Sequence, residues 1–507
     1  MIMTNRNLSL FTAFSLLVSI AGIVSARGAV VEAWVRIYDA GSDGGGWVAI
    51  DPGGNVVTAG NSEWDFYTAK YSGTDGALLW ERRHDGSTNT ADGLTGMALD
   101  PSGNVVVTGW LSSASSNQWY TAKYAAANGA LLWERRLSAW TTIAIGYPAA
   151  LAVDKGGNVI VTGVLDGDIY TAKYAGVDGA LLWEKLFSTG LAYDFGRAVA
   201  VDSSGNVIVT GSANRSATDS DCDYYTAKYA GANGALLWEH RYNGPSNSYD
   251  FPTAVAVDAI GNVAVTGGSG HDVYTAKYAA ANGALLWERR YSGPPSWRWE
   301  AGLAVAVDRH GNVVVTGYAG NTANDDYYTA KYAAADGALL WERRYDGPGS
   351  SDDMAGALAL DANDNVVVTG RSEASTNFYS GDIYTAKYSA ADGALLWERR
   401  YNGTLNQLDG GGRVAIAPNG MIVVAGSVNI TESQSSGDGG IIAYREDLSP
   451  LVINVTSGDV RLRMNGAPGR TYELQRAASV AGPWSTIATV TAPGNGLIEH
   501  IETPPTG

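Results

Sequence analysis

Cysteine is almost missing from this chain of 507 residues: there is one, Cys222, so no disulfide can form within it. Stability has to come from burial and strand pairing. Histidine is scarce too, with five in all (His84, His240, His271, His310 and His500). None has the Cys/His spacing of a zinc site or neighbours that mark a catalytic base. Positive charge is short: 34 Lys and Arg stand against 51 Asp and Glu, a net charge of −17. A duplex-binding protein needs a basic face to neutralise phosphates, so nucleic acid is not an expected partner. Long apolar runs are confined to one, Leu8 to Val24, preceded by Arg6 and ending in Val24-Ser25-Ala26. That pattern fits a secretory signal peptide over residues 1–26 with small-x-small cleavage. Export follows as an expectation, to the periplasm, the cell surface or the medium, with no membrane span left after cleavage.

What the chain has in plenty is glycine (64), tyrosine (28) and tryptophan (16), arranged in a repeat. Tyr-Thr-Ala-Lys-Tyr begins at Tyr67, Tyr120, Tyr170, Tyr225, Tyr274, Tyr328 and Tyr384. A tryptophan follows 13 residues later each time: Trp80, Trp133, Trp183, Trp238, Trp287, Trp341 and Trp397. Between them lies Asp-Gly or Asn-Gly, which reaches φ > 0 cheaply and closes a hairpin. Ahead of each hairpin comes a second one, such as Ala198–Val201 and Val207–Thr210 about the turn Asp202-Ser-Ser-Gly-Asn206. The turn's first residue recurs as Asp51, Asp100, Asp154, Asp202, Asp258, Asp308 and Asp361, with a degenerate eighth copy at Ala417.

Each repeat therefore has four strands, A to D, and a period of about 50 residues of pure β pattern is a propeller signature. Strands A and B are apolar on both sides, as expected for sheets stacked face to face. Strands A, B and C occur eight times, with Ile441–Arg445 as the worn last C. Strand D occurs seven times inside the repeats. The missing copy is Ala33-Trp34-Val-Arg-Ile-Tyr38-Asp39, which matches Leu-Trp-Glu-Arg-Arg-Tyr-Asp. The expectation is an all-β, eight-bladed propeller over residues 27–446, closed by residues 30–38 as the outer strand of the last blade. Residues 451–507 read as a separate small β module.

The pattern Ala-Val-Ala-Val-Asp-Ser-Ser-Gly-Asn-Val-Ile-Val-Thr-Gly, followed by Asp-x-Tyr-Thr-Ala-Lys-Tyr, resembles the bacterial SBBP propeller repeat and is similar to NHL-type blades. The SBBP name implies seven blades, and this chain counts eight. The resemblance implies an exported or surface-associated protein and no shared catalytic residues. The tail resembles fibronectin-III-like modules, though it is shorter than a full sandwich. The run Ala-x-x-Asp/Asn-Gly-x-x-x-Trp also resembles the tryptophan-docking motif of eight-bladed quinoprotein dehydrogenases. That implies a structural role for Trp34, Trp80, Trp133, Trp183, Trp238, Trp287, Trp341 and Trp397. Such cofactor pockets often carry an adjacent-cysteine disulfide, which one cysteine cannot make, so a quinoprotein is not expected.

Three sets of residues remain as candidates for chemistry. Lys331 and Glu342, with Lys70/Glu81 and Lys387/Glu398, read as outer-strand ion pairs. Carboxylates stand eight residues before the turn Asp (Asp43, Asp92, Asp194, Asp250, Glu300, Asp353, Asp409, broken by Gly146). Others stand two before the tyrosine motif (Asp65, Asp168, Asp223, Asp272, Asp326, Asp382). Both groups belong to the D–A and B–C loops at one end of the blades. They read as loop caps, and alternatively as a Ca²⁺ site, with Asp353, Asp382, Asp250 and Asp223 as candidate ligands. Single-copy aromatics in the D–A loops (Trp140, Tyr147, Tyr193, Tyr249, Trp297, Trp299, and beside them Phe251) are candidate contacts for a glycan or a protein. The reading is a non-catalytic binding propeller without a resident cofactor. A propeller enzyme acting on extracellular glycans is the alternative.

Overall fold

A computed structural model gives the three-dimensional structure. With side chains it describes residues 30–38, 46–86, 92–112, 117–138, 146–191, 194–215, 221–247, 249–294, 298–321, 323–349, 351–373, 381–403, 409–428 and 438–446, together with strand backbones at 17–19 and within 452–502. It falls into two compact units, residues 32–444 and a second made of the two chain ends. Every described element is a strand.

The larger unit is a ring of eight four-stranded sheets. Their innermost strands, which number blades 1 to 8, are Trp47–Ile50, Gly93–Leu99, Tyr147–Val153, Phe195–Val201, Asp250–Val257, Ala301–Val307, Asp353–Leu360 and Gly410–Ile416. Each touches the next, and Gly410–Ile416 touches Trp47–Ile50, so the ring is closed. Within a blade the order is A-B-C-D. Blade 4, for example, runs Phe195–Val201, Val207–Asn214, Cys222–Tyr229, Leu236–Tyr242. Strands B and C are buried along nearly their whole length because both faces lie against neighbouring blades.

Closure follows the strand count. Val30–Tyr38 lies beside Asp438–Glu446 as the fourth strand of blade 8. Trp34 and Tyr38 join a core cluster holding Tyr67 and Tyr71 of blade 1 and Val423 and Ile441 of blade 8. A first-to-last join of this kind leaves no open face at the seam.

The blade-to-blade lock is built at the A–B and C–D turn end. All eight D-strand tryptophans are 7% exposed or less. The Trp80 indole N–H donates to the Ala126 carbonyl in the C–D turn of the next blade at 3.1 Å, and Trp287 does the same to Ala334 at 3.2 Å. The ring lies on the glycine of that turn: a Cβ on Gly337 would come within 2.6 Å of Trp287. Its φ of 69° suits glycine as well. Arginine completes the contact, with Arg289 Nε and Nη2 donating to the Gly337 and Asp336 carbonyls at 2.8 and 2.7 Å.

The expected lysine–glutamate ion pair is corrected here. Lys331 faces Trp341 across the hairpin, while Glu342 faces Ala330. Neighbours on a strand point to opposite faces, so the two charges cannot meet. Lys331 is buried instead, with its ammonium 2.9 Å from the turn carboxylate Asp308 and 3.0 Å from the Ala390 carbonyl of blade 7. Six more lysines pair the same way, Lys70 with Asp51 through Lys387 with Asp361. Glu81 and Glu398 accept instead from strand C tyrosines, as from Tyr384 Oη to Glu398 at 2.7 Å.

The second unit has two three-stranded antiparallel sheets. One holds Val452–Thr456, Asp459–Asn465 and Leu497–Glu502; the other holds Leu17–Ser19, Thr471–Ala477 and Ser485–Thr491.

Candidate ligand-binding face

The D–A and B–C segments emerge together at the end opposite the turns. The backbone joins them: Asp92 N donates to Trp64 O, Asp194 N to Gly167 O and Glu300 N to His271 O. This is where the repeats differ from one another.

The first carboxylate set lies at this end and is buried, with Asp194, Asp250, Asp353 and Asp409 all at 0% exposure. Each ties its own loop. Asp353 accepts from Gly347 N and Glu373 N, Asp194 from Thr189 and Asn214, and Glu300 from Gly293 N. Burial pushes Asp353 up to about 6 and Glu300 up to about 7, against the pull of these donors. Four of the six in the second set meet arginines. Asp382 pairs with Arg400 at 3.0 Å, Asp272 with Arg290 at 2.7 Å and Asp326 with Arg344 at 3.0 Å. Asp223 pairs with Arg215 at 2.8 Å. In blade 7 the two sets form one chain, because Arg400 also donates to Ser372, which hydrogen-bonds Asp353.

Of the four carboxylates read as calcium ligands, Asp353 and Asp382 thus share a network through Ser372 and Arg400. Asp250 and Asp223 belong to blades 5 and 4. Among the described residues at this end, the acidic groups whose oxygens converge are Asp65, Asp85 and Asp92, from the blade 1–2 loops. Asp43 lies outside the described residues.

Trp140, Tyr193 and Trp297 also lie outside the described residues. Tyr147 begins the inner strand of blade 3, half-buried and opposite Val164. Tyr249 and Trp299 come together: their rings lie 6.1 Å apart, edge to face. Phe251 packs 5.2 Å from Tyr249, and the His271 ring lies 4.8 Å from Trp299. Trp299 keeps 44% of its surface in solvent, so the cluster is an open platform rather than a core. Beside it Arg298 bridges Asp325 and Asp352 at 3.3 and 3.0 Å.

Sequence reasoning missed three residues at this end. Trp64 is 49% exposed and sits with Glu63 in a two-residue B–C turn, both at positive φ (75° and 53°). Non-glycine residues rarely hold that conformation. The signal was present: Glu-Trp fills a hairpin turn where blade 3 has Asp166-Gly167. The others are Arg197 and Arg413, the only basic residues on the eight innermost strands. Each interrupts an otherwise small or apolar row.

The chain was compared with known proteins. A family model described as outer membrane protein assembly factor BamB matches residues 65–315 and 272–483. The chain belongs to that family. No curated relative matches its sequence. Among solved structures, BamB from Moraxella catarrhalis is 15% identical, covers 82% of this chain and 98% of its own, and has a TM-score of 0.47. The quinohemoprotein alcohol dehydrogenase from Comamonas testosteroni is 12% identical over 84% of this chain and 79% of its own, with a TM-score of 0.52. Sqt1 from Chaetomium thermophilum, bound to the N-terminus of ribosomal protein L10, is 13% identical over 82% and 99%, also at 0.52. At these identities the last two show the fold alone. The SBBP and NHL names describe a likeness of the repeat, whereas the family matched over the chain is that of BamB.

The feature that argued in the sequence against a quinone site of the dehydrogenase kind was the cysteine count of this BamB-family propeller. Its single thiol, Cys222, is buried in blade 4 and cannot form an adjacent-cysteine disulfide. Asp250 and Asp353, the carboxylates on the inner strands, already accept from N–H groups of their own loops.

Proposed function

We propose that this propeller is a non-catalytic binding module that holds a protein ligand on its D–A and B–C end. The observation that carries the reading is the Tyr249, Phe251, His271 and Trp299 cluster, set in single copy on an eight-fold repeat. A platform with half-exposed rings, flanked by the Arg298 ion pairs, is the usual composition of a protein-contact centre with a polar rim. Catalysis draws no support from the titrating groups. His271 Nδ1 donates to the Arg298 carbonyl at 3.2 Å, and Glu300 is taken up by Gly293 N–H. Sqt1, with a ribosomal protein segment bound, illustrates that the fold can serve such a role. We further propose export through residues 1–26 to the periplasm or cell surface, and a β-sandwich-like module in residues 451–507.

A photo-crosslinking residue at His271 tests the reading in cells. A protein adduct is expected there, and none from Ile260, 78% exposed on an A–B turn at the other end. Adducts at Ile260 alone would contradict it. Binding of a purified glycan that Trp299→Ala abolishes would replace the protein ligand by a sugar.

A further inference from the structure

The arginine clamp at the turn end is not present in every seam. Where it occurs, it stands two residues after the D-strand tryptophan. Arg36, Arg82, Arg135, Arg289 and Arg343 donate through Nε and Nη2 to two successive carbonyls of the next blade's C–D turn, at 2.6–2.9 Å. Blades 3 and 4 carry Lys185 and His240 at that position. Neither offers the rigid fork of a guanidinium. His240 packs 4.6 Å from the Tyr278 ring of blade 5, and its Nδ1 is buried with no hydrogen-bond partner. The turn it leaves unclamped is otherwise regular: a Cβ on Gly283 would meet Trp238 at 2.6 Å, as one on Gly337 would meet Trp287.

The loop end of the seam between blades 4 and 5 is under-bonded as well. Asp92, Asp194 and Asp353 accept at both oxygens, from the turn behind them and from the N–H of Ser112, Asn214 and Glu373. In blade 5 the residue at that second place is Gly270, in a tight B–C turn, and its N–H goes to the Tyr249 carbonyl instead. Asp250 therefore keeps Gly244 N–H on Oδ2, while its Oδ1 is buried with no hydrogen-bond partner. Tyr224 of blade 4 is buried in one cluster with Tyr274 and Tyr278 of blade 5, and its Oη lacks a partner too. Its counterpart between blades 6 and 7, Tyr327, donates to the Tyr384 carbonyl at 3.4 Å. A buried polar atom left unpaired costs stability.

We infer that the ring opens at the seam between blades 4 and 5, a joint built into the repeat by His240, Asp250 and Tyr224. Partial opening of a folded protein starts where the fewest bonds have to break. The seam between blades 3 and 4 shares only the missing clamp: Asp194 is satisfied, and Ile169 stands where blade 4 has Tyr224. At the joint Trp238 still donates to the Ala280 carbonyl at 3.2 Å, so the closed ring is the ground state. Tyr249, Phe251, His271 and Trp299 all stand on the blade 5 side, with Tyr249 held there by the Gly270 N–H. Opening therefore shifts the aromatic platform against blade 4 without splitting it.

The chain carries its own probe of this joint. Cys222, its single thiol, is 1% exposed, and Sγ donates across the seam to the Asp250 carbonyl at 3.2 Å. The test labels the purified full chain with N-ethylmaleimide without denaturant and follows the adduct by mass spectrometry. Cys222 should react at least about tenfold faster than the whole chain unfolds. His240→Arg, which restores the clamp at the far end of the seam, should slow that reaction at least about fivefold. A chain with Cys222→Ser and Val314→Cys moves the thiol to the buried core between blades 6 and 7. It should react more slowly than wild type, and Arg343→His should speed it up. Cooperative urea unfolding shows that each variant folds. Labelling no faster than global unfolding would overturn the inference, as would equal rates at the two seams. A fast reaction that His240→Arg leaves unchanged would locate the motion in the loop beside Cys222 and overturn it too.

Discussion

At the turn end of blade 6, the buried Asp308 carboxylate sits 2.9 Å from the Lys331 ammonium and also accepts from Asn312. At the loop end of blade 7, Asp353 is as deeply buried, but its donors are two backbone N–H groups and the Ser372 hydroxyl. Burial works to raise both carboxyls. The lysine and asparagine outweigh it at Asp308 and hold that group below its ordinary value, whereas at Asp353 burial prevails. The arrangement at Asp308 repeats in seven blades; the arrangement at the loop end varies. One end is neutralised, uniform and shared between blades, which is architecture. The other keeps uncompensated charge and single-copy aromatics, and sites that forgo stability in this way are where function is expected.

The comparison breaks most visibly if the ring is opened. Deleting residues 30–38 removes strand D of blade 8 and bares Tyr67 and Ile441. Aggregation, or a loss of several kcal/mol in urea unfolding, is expected. Wild-type-like melting would contradict the closure. Next come the tryptophans. Trp287→Ala should cost about 3–5 kcal/mol as a core truncation, and Trp299→Ala less than about 1 kcal/mol while weakening ligand binding. Equal losses would erase the distinction between the ends. Lys331→Met leaves Asp308 buried without its cation and should cost about 3 kcal/mol by chemical denaturation. A neutral outcome would mean the turn pairs contribute nothing to the lock.

Much of this was legible in the residues. The 13-residue spacing from tyrosine to tryptophan and the stray Ala33-Trp34 copy determine blade number and closure, because strand period and turn chemistry are local. The partner of Lys331 was not legible: hairpin neighbours suggested Glu342, whereas alternation along the strand and the A–B turn of the same blade select Asp308. The loop carboxylates could be named as caps from their repetition, but the arginines that Asp272, Asp326 and Asp382 meet come from strand D across the sheet. The platform was half visible. Tyr249 and Trp299 were flagged as single copies, yet their meeting with His271 depends on how a D–A segment lies over the preceding blade's B–C turn.

The pH dependence of Asp353→Asn tests the contrast between the ends most directly. Asp353 has its folded pKa raised from 3.8 to about 6, so the native state holds the extra proton between those values. Its contribution to stability is therefore greatest at low pH and falls as pH rises through about 4 to 6. Asp308, held below 3.8, behaves oppositely: its contribution is present above that value and is lost as pH falls through the folded pKa. Urea unfolding of wild type and Asp353→Asn between pH 4 and pH 7 should show wild type losing about 2–3 kcal/mol relative to the variant, with the change complete near pH 7. A difference that stays flat across that range, or that grows in favour of wild type, would place Asp353 with the neutralised turn carboxylates and contradict the account.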